Sequence, residues 1–379
     1  MKITKVEAIP IRQKGEIKLI NDSAQDGIII KVYTDEGIVG YGEVDSSPLV
    51  VKAVIEAPVS HRICCGLAAV VVGEDPFDVE KIWEKMYLAS TFYGRRGVVI
   101  HAMSGIDIAI WDIIGKALNK PLYKVLGGSF RDRVRAYAST LMPYTPQESY
   151  EETRKCCDAG YTAIKLGWGG FELGMRENIA LIKAAREAAG PDIDLMFDLG
   201  FIPSADNPID AASRIQLAKA IEQYDPYWIE EPLYPDDLEG YRKLSEAVNI
   251  RIACGENEST IYGFKQLIDY AGVSILQPDI TRCGGITQAR KIATLAAANH
   301  LTVVPHAWSS GIVIAASLHI IASIPNSCLL EYLIWDNPIR KEMLVEDILV
   351  KDGYATLPEG PGLGIEINDQ AIEKYRSDR

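Results

Sequence analysis

The chain has 379 residues, of which 48% are hydrophobic and 24% charged, so it can fill a sizeable hydrophobic core. Its net charge of −13 argues against nucleic acid or an anionic membrane as a partner. No uninterrupted run of about 18 apolar residues predicts a membrane span, and no signal peptide pattern opens the chain. Seven cysteines without a CxxC spacing indicate a reduced protein, so we expect a cytoplasmic location.

The first part of the chain, residues 1–128, is predicted to form an α+β unit. Three β-rich runs come first: ITKVEAIPI, GIIIKVYTD and GIVGYGEV. Two segments with helical spacing of apolar residues follow, DVEKIWEKMY and SGIDIAIWDIIGKALNK. Strands followed by helices are typical of a separate α+β domain.

From residue 129 the pattern changes to short β-rich runs that alternate with amphipathic helices. The runs are RVRAYAS, TAIKLG, DLMFDLG, YWIEEPL, RIACGEN, VSILQPD, LTVVPHA and SCLLEYL. Seven of them carry an ionisable residue near their end, at intervals of 23 to 33 residues: Lys165, Asp198, Glu230, Glu256, Asp279, His306 and Glu331. This rhythm predicts an α/β fold with a (β/α)8 barrel over 129–340, followed by a segment, 341–379, that returns to the N-terminal unit.

Three acids near the ends of consecutive runs predict a metal site. Carboxylates of Asp198, of Glu230 or Glu231, and of Glu256 would repel one another unless a cation lies among them. Hard oxygen ligands favour Mg²⁺, with Mn²⁺ as the alternative, over Zn²⁺. Two questions stay open: which acid of the Glu230–Glu231 pair points inward, and whether these acids only end loops or pair with lysines.

Asp279 and His306 end neighbouring runs and predict a proton-transfer pair. A carboxylate beside an imidazole fixes its tautomer and raises its pKa, which suits a general base or acid. The other histidines have no comparable setting, and His300 and His319 lie in helical patterns that indicate structural roles. A zinc hydrolase on this barrel would need His-x-His on the first run, which RVRAYAS lacks.

Together these motifs resemble the enolase superfamily, in its mandelate racemase/muconate lactonizing enzyme branch of the sugar acid dehydratase type. The similarity runs through GIDIAIWDIIGKALNKPLYKVLGG, FDLGF, WIEEPL, ACGEN and PGLGIEI, over nearly the whole chain. Sites of this superfamily use a Lys or His base with Mg²⁺ to stabilise an ene-diolate. The roles that the resemblance implies are metal ligation by Asp198, Glu230 and Glu256, and catalysis by Lys165, Asp279, His306 and Glu331.

The implied reaction starts with removal of the α-proton of a carboxylate substrate. Lys165 is expected to add a cation beside that carboxylate, and a protonated Glu331 to donate a hydrogen bond to it. Racemases of this branch usually carry Lys-x-Lys on the second run, where this chain has Gly167, and Gly200 replaces the His of another dehydratase variant. One acid/base remains, which suits a hydro-lyase that eliminates water from a monocarboxylic sugar acid to give a 2-keto-3-deoxy acid.

Two alternatives stay open. A racemase, epimerase or cycloisomerase of the same superfamily would need a base that the sequence does not identify. A non-catalytic barrel homologue would retain the fold without turnover. Trp168 and Trp308 are either pocket walls or packing residues. The resemblance also leads us to expect a homo-oligomer.

Specificity is expected to come from the N-terminal unit, which in this family covers the barrel mouth as a capping domain. The segment 12–27 lies where the family carries a lid, and Lys14, Asn21 and Asp22 are its candidate contacts to substrate hydroxyls. A solvated loop is the competing interpretation. The segment 91–97 is equally ambiguous, because its two arginines suit either an anion or the start of the next helix.

Overall fold

The computed structural model describes residues 1–15, 25–201 and 207–378. Three antiparallel strands form the first sheet: β1 (Ile3–Arg12), β2 (Asp26–Thr34) and β3 (Val39–Val44). The α-helices that follow are α1 (Pro48–Glu56), α2 (Leu67–Val71), α3 (Val79–Ser90), α4 (Val98–Ala117) and α5 (Leu122–Val125). The predicted α+β unit is present, and α1 and α2 are helices that the sequence patterns did not indicate.

Helix α4 is the core of this unit. By length and composition it could cross a membrane, but 89% of its most apolar window is buried inside the protein, as expected of a core helix. It approaches strand β3 closely because both elements carry glycine at the contact. A Cβ at Gly42 would overlap the carbonyl oxygen of Gly105, and a Cβ at Gly105 would lie 2.5 Å from Val44 Cγ2. The two glycines therefore set the position of the end of β3.

Eight parallel strands form the second sheet. They are β4 (Arg133–Leu141), β5 (Ala163–Gly167), β6 (Asp194–Asp198), β7 (Trp228–Glu230), β8 (Ile252–Cys254), β9 (Ile275–Leu276), β10 (Thr302–Val303) and β11 (Leu329–Leu333). Each strand from β4 to β9 pairs with the next, and β11 pairs with β4, so the last strand returns to the first. Between β10 and β11, Val303 N donates to Asn326 O at 2.9 Å. This is the predicted (β/α)8 barrel.

The barrel helices follow the strands in the predicted alternation. They are α6 (Pro146–Asp158), α7 (Met175–Ala189), α8 (Ala211–Ile221), α9 (Leu238–Ala247), α10 (Thr260–Gln266), α11 (Gly285–Ala298) and α12 (Gly311–Ser323). Their apolar faces cover the outside of the sheet, so both faces of the parallel strands are buried.

The barrel interior explains why charged residues gather at one end. An apolar inner layer contains one residue from each strand region: Tyr137, Ala163, Met196, Trp228, Ala253, Ile275, Val304 and Leu329. Side chains on a strand alternate between its two faces, so the residue two positions further on also points inward. That rule places Lys165, Asp198, Glu230, His306 and Glu331 directly above the inner layer.

The C-terminal segment contacts both parts of the protein. It contains α13 (Pro338–Glu342), β12 (Val350–Lys351), β13 (Tyr354–Thr356) and α14 (Asp369–Tyr375). The β12–β13 hairpin joins the barrel sheet, because β13 pairs antiparallel with β4. Further on, Arg376 forms a bridge with Ile11 of β1, which is a return to the first sheet. The domain boundaries at 128/129 and 340/341 stay a prediction, and the second falls inside α13.

The N-terminal unit is held on the barrel by buried polar contacts. Thr287 of α11 donates its hydroxyl to Asp107 Oδ1 of α4 at 2.6 Å, and its N–H donates to Asp107 Oδ2 at 2.9 Å. Trp83 Nε1 of α3 donates to Gly284 O at 2.9 Å. Buried hydrogen bonds of this kind fix the relative position of two elements more specifically than apolar contact does.

We predict that Gly42→Ala destabilises the protein by about 1–3 kcal/mol or more, because the new methyl group collides with the backbone of α4. Thermal unfolding followed by circular dichroism measures the effect. Gly27→Ala is the matched control, since Gly27 is also a buried strand glycine and its added Cβ would have Val44 O at an ordinary 3.8 Å. Equal melting temperatures for the two variants would contradict the close packing of α4 on β3.

Candidate active site

Three acids from consecutive strands meet at the barrel mouth. Asp198 and Glu230 are the last residues of β6 and β7, and Glu256 follows β8 by two residues. One carboxylate oxygen of each acid lies within 4.8 Å of the other two, and all three side chains are buried. Negative charges this close together and away from water destabilise one another unless a cation compensates them.

The donor atoms fit a hard divalent cation. Burial raises the pKa of Asp198 and of Glu230, and for Asp198 the charge of Glu230 adds to the effect, so their ionised forms need compensation. Glu256 Oε2 is buried without a hydrogen-bond partner, which leaves its lone pairs available. Carboxylate oxygens are the ligands that Mg²⁺ and Mn²⁺ prefer. Asp198, Glu230 and Glu256 are therefore the residues that would hold the predicted metal.

Lys165 places a buried cation among these acids. Its Nζ lies 2.5 Å from Glu230 Oε1, 2.8 Å from Glu331 Oε1 and 3.9 Å from Asp198 Oδ2. Burial alone would lower the pKa of Lys165, but the charges of Glu230 and Glu331 outweigh it and raise the pKa well above its usual value. The side chain therefore stays charged and offsets part of the negative charge at the site.

The second acid of the Glu230–Glu231 pair turns away from the cluster. Glu231 has a positive φ of 40°, and its carboxylate accepts hydrogen bonds from Gly255 N at 2.9 Å and from Tyr241 Oη at 3.1 Å. Burial, followed by the charge of Glu256, raises the pKa of Glu231 to about 8. Of the two acids that the residues left open, Glu230 faces the other carboxylates.

Asp279 and His306 form a direct pair. His306 Nδ1 lies 2.6 Å from Asp279 Oδ2, while Asp279 Oδ1 accepts from the N–H and the hydroxyl of Thr281 at 2.7 and 2.6 Å. Burial opposes ionisation of Asp279, but Arg282 and His306 lower its pKa to about 2. An ionised Asp279 can only accept, so His306 Nδ1 carries the proton, and Nε2 lies 3.3 Å from Glu256 Oε2 without a hydrogen bond to it.

The acids around His306 also change the pKa of its imidazole. Burial acts to lower the pKa of His306, but the charges of Glu256 and Glu331 and the hydrogen bond to Asp279 raise it to about 10. A cation bound by Glu256 would offset one of these charges, and the pKa of His306 would then fall towards values at which the neutral imidazole can act as a base.

Glu331 differs from its sequence-based expectation. It was expected to be protonated, but Lys165 and His306 lower its pKa to about 2 although burial opposes this. Its carboxylate accepts hydrogen bonds from Ser139 Oγ and from Ala307 N, both at 2.7 Å. In this arrangement the Glu331 carboxylate is an acceptor that holds Lys165 and the backbone next to His306. A protonated Glu331 that donates to a bound substrate stays a prediction.

Gly167 and Gly200 occupy the two positions where the resemblance implied further acid/base groups. A Cβ at Gly167 would lie 2.7 Å from Asp198 Cβ, so a lysine there would displace a candidate metal ligand. Gly200 has a φ of +55°, and a Cβ there would lie 3.0 Å from the ring of Trp168. A lysine at position 167 or a histidine at position 200 would therefore require Asp198 or Trp168 to shift.

The two predicted loops contribute less to the described site. Asn21 and Asp22 lie outside the described residues, and Lys14 is exposed. In the segment 91–97, Arg96 Nη2 donates to Gln266 Oε1 of α10 at 2.7 Å, so this loop contacts the barrel. A role for either segment in specificity stays a prediction.

The tryptophans near the strand ends pack against apolar neighbours. Trp168 meets Phe201 edge-on, with ring centroids 5.4 Å apart. Trp308 packs with Leu333 and Leu141 above the charged layer of the barrel. Both rings are therefore close to the mouth, and packing accounts for their contacts in the described residues.

The remaining histidines are partly as expected. His319 is buried in α12, where Nδ1 accepts from Tyr123 N at 3.2 Å and Nε2 is 3.0 Å from Leu363 O, which is a structural role. His300 was expected in a helix, but it lies in an exposed turn after α11 with a φ of +58°. The helical pattern ends earlier than predicted, because the chain turns at Asn299 to enter β10.

Three further polar residues at the site were not found from the sequence. Gln277 is fully buried, and both atoms of its amide lack a hydrogen-bond partner. Its position two residues before Asp279, on the same face of the strand, is a signal that could have identified it. The hydroxyl of Tyr137 is likewise buried without a partner. Arg282 is 3.6 Å from Asp279, but it reaches the site from a loop, so no periodicity reveals it.

Comparison with known proteins gives matches over most of the chain. Residues 6–127 match the mandelate racemase / muconate lactonizing enzyme N-terminal domain, and residues 148–371 match the enolase C-terminal domain-like family. The D-galactarolactone cycloisomerase of Agrobacterium fabrum is 34% identical over 361 residues, which are 92% of this chain and 91% of that protein.

Two further matches name related reactions. The L-rhamnonate dehydratase of Saccharopolyspora erythraea is 33% identical over 351 residues, or 90% of this chain and 83% of that protein. The crystal structure of the 3,6-anhydro-D-galactonate cycloisomerase from Zobellia galactanivorans has a TM-score of 0.88 and 33% identity, and the match covers 100% of both chains.

We predict that Mg²⁺ raises the melting temperature, because binding to the folded state alone stabilises it by about 2.7 kcal/mol at 100 times Kd. Asp198→Asn is expected to remove most of this rise, as measured by thermal unfolding with and without Mg²⁺. The control is Asp194→Asn at the other end of β6, where the carboxylate pairs with Arg135 on a partly exposed surface. A full Mg²⁺ effect in Asp198→Asn would contradict the assigned ligand.

Proposed function

The chain belongs to the mandelate racemase/muconate lactonizing enzyme family of the enolase superfamily, and from this premise we propose that it is a Mg²⁺-dependent sugar acid dehydratase. The proposed reaction removes the α-proton of a monocarboxylic sugar acid and eliminates the β-hydroxyl as water. The product is a 2-keto-3-deoxy acid, so the enzyme would be a hydro-lyase. The dehydratase among the relatives supports the substrate class.

The proposal is carried by one observation: among the described residues, one histidine–carboxylate pair lies beside three clustered carboxylates. His306 is paired with Asp279 on one side of the mouth. A second base would stand at position 167, where any side chain would collide with Asp198. A racemase needs proton delivery on both faces of the α-carbon. A syn elimination needs only one imidazole, which takes a proton and returns it on the same side.

The residues have separate tasks in the proposed reaction. Mg²⁺ held by the three acids would supply a Lewis acid for the charge that develops on the substrate carboxylate. Lys165 is placed to add a second positive charge there. Neutral His306 Nε2 takes the α-proton, and the imidazolium returns a proton to the β-hydroxyl oxygen as the C–O bond breaks. Water leaves, and the enol tautomerises to the ketone. Asp279 holds Nδ1 throughout.

A cycloisomerase is the second candidate function. Where the β-oxygen belongs to a ring, the same proton abstraction opens the ring and no water is lost, so substrate and product are isomers. The two cycloisomerases among the relatives support this alternative, and the single proton-transfer pair is compatible with it. A racemase or epimerase is less well supported because of Gly167.

Charge and cysteine chemistry support a proposal for the cellular location and the partners of the enzyme. We propose a cytoplasmic protein, because all seven cysteines are free. A small carboxylate is the expected partner, and the net charge of −13 argues against nucleic acid or a membrane. A homo-oligomer stays a prediction.

We predict that Mg²⁺-loaded protein forms 2-keto acid from at least one member of a library of aldonic acids, aldaric acids, lactones and anhydro sugar acids. Colorimetric detection of the keto group identifies the substrate, and mass spectrometry then separates the candidate functions. Loss of one water indicates the dehydratase, and an unchanged mass indicates ring opening. Solvent-deuterium exchange with inversion at the α-carbon and no keto acid would instead indicate a racemase.

We predict that His306→Asn lowers kcat by at least about 100-fold, within the range that a general acid/base contributes. His300→Asn is the matched control, because His300 is exposed and asparagine tolerates its positive φ. Steady-state kinetics on the substrate found by the library measures both variants. Comparable rates for His306→Asn and the wild type would rule out His306 as the base.

A further inference from the structure

A buried arginine connects the N-terminal unit with both parts of the candidate site. Arg282 follows Asp279 by three residues, and its Nη2 donates to Asp45 Oδ2 at the end of β3. Arg282 Nε lies 3.6 Å from Asp279 Oδ2, and Nη1 lies 4.0 Å from Glu256 Oε1. One guanidinium thus faces an acid of the proton-transfer pair, a candidate metal ligand and an acid of the other unit.

The contact with Asp45 is the closest of the three ion pairs. The distances to the carboxylates of Asp279 and Glu256 exceed hydrogen-bond length, and Arg282 Nε has no hydrogen-bond partner. Arg282 Nη1 reaches Glu256 only at its main-chain O, to which it donates at 3.4 Å. Asp45 also reaches Asp279 by a second route, because its N–H donates to Thr281 Oγ1 at 3.2 Å and that hydroxyl donates to Asp279 Oδ1 at 2.6 Å. Asp45 therefore contacts both Thr281 and Arg282, the two residues that face the carboxylate of Asp279 beside His306.

Hydrogen bonds to Glu43 fix the end of β3 next to Asp45. Glu43, two residues earlier, is buried and accepts hydrogen bonds from Ser309 Oγ at 2.8 Å and from Ser310 Oγ at 2.9 Å. These serines lie on the loop that follows His306. The end of β3 thus contacts the loops after β9 and β10, which carry the two members of the proton-transfer pair.

Charge explains why the partner of Arg282 matters. A guanidinium beside several carboxylates is drawn to all of them, and a direct ion pair with Glu256 would oppose the binding of a second cation by that carboxylate. A direct ion pair with Asp279 would likewise compete with His306 Nδ1 for Asp279 Oδ2. Asp45 supplies a nearer partner and keeps the guanidinium at 3.6 and 4.0 Å from these two acids.

We propose that Asp45 is a positioning residue that holds the guanidinium of Arg282 away from the side-chain carboxylate of Glu256 and from the Asp279–His306 pair. This inference rests on the proposed function for the roles of Glu256 and of the pair. It assigns to the N-terminal unit a part in metal binding and proton transfer, in addition to covering the barrel mouth.

The test is Mg²⁺ affinity measured by isothermal titration calorimetry, which does not require turnover. Asp45→Asn is expected to weaken Mg²⁺ binding at least fivefold and, on the identified substrate, to lower kcat more than it changes KM. The matched control is Asp107→Asn, which removes an equally buried acid of the N-terminal unit that binds Thr287. It is expected to lower the melting temperature and leave Mg²⁺ affinity within twofold of the wild type.

A double variant separates positioning from a structural effect. If the freed guanidinium is what weakens Mg²⁺ binding, Asp45→Asn with Arg282→Gln restores the affinity to within twofold of the wild type. Arg282→Gln alone is expected to bind Mg²⁺ at least as tightly as the wild type. If Asp45→Asn does not fold, this variant alone tests whether the guanidinium opposes Mg²⁺ binding. Wild-type affinity in Asp45→Asn, no rescue in the double variant, or weaker binding in Arg282→Gln would each overturn the proposal.

The proposed function and the proposed role of Asp45 can be contradicted separately. A wild-type protein that binds Mg²⁺ but turns over no sugar acid would contradict the proposed function, and the calorimetric comparison would still decide the role of Asp45. A wild-type protein that binds no Mg²⁺ would overturn both.

Discussion

An excess of buried negative charge is the constraint on which the site depends. Five buried acids converge at the barrel mouth with three basic groups: Asp198, Glu230, Glu256, Asp279, Glu331, Lys165, Arg282 and His306. Even with every basic group protonated, two negative charges remain uncompensated, and Arg282 is shared with Asp45 as well. Burial of unpaired charge is costly, so without a further cation some of these acids would have to take up protons, and burial does raise the pKa of Asp198 and of Glu230. The proposed metal would therefore add to stability as well as supply chemistry.

The sequence predicted most of this site because a barrel turns strand periodicity into spatial proximity. Parallel strands bring their ends to one rim, and alternation decides which side chains face inward. Lys165 and Glu331 lie two residues beyond members of the inner apolar layer, and both could be assigned from these rules. The fold class followed from the same rhythm, since eight β-rich runs alternate with amphipathic helices.

The features that sequence rules missed depend on contacts between distant segments. Alternation could not choose between Glu230 and Glu231, because the chain leaves the regular strand there and Glu231 takes a positive φ. The lowered pKa of Glu331 could not be foreseen, because Lys165 lies 2.8 Å away, a distance that no spacing reveals. Helix α1 was missed because only two of its nine residues, one of them Ile55, are buried, so its apolar pattern is weak.

If Asp45 acts as proposed, packing far from the barrel mouth influences the chemistry. Gly42 and Gly105 let α4 approach β3, and the end of that strand then reaches the loops beyond β9 and β10. Bulk at either glycine would displace Asp45, and Arg282 would lose its nearest carboxylate. The guanidinium would then compete with a metal for Glu256. A contact between two backbones in the N-terminal unit is thereby linked, through one ion pair, to the charge balance of the proposed reaction centre.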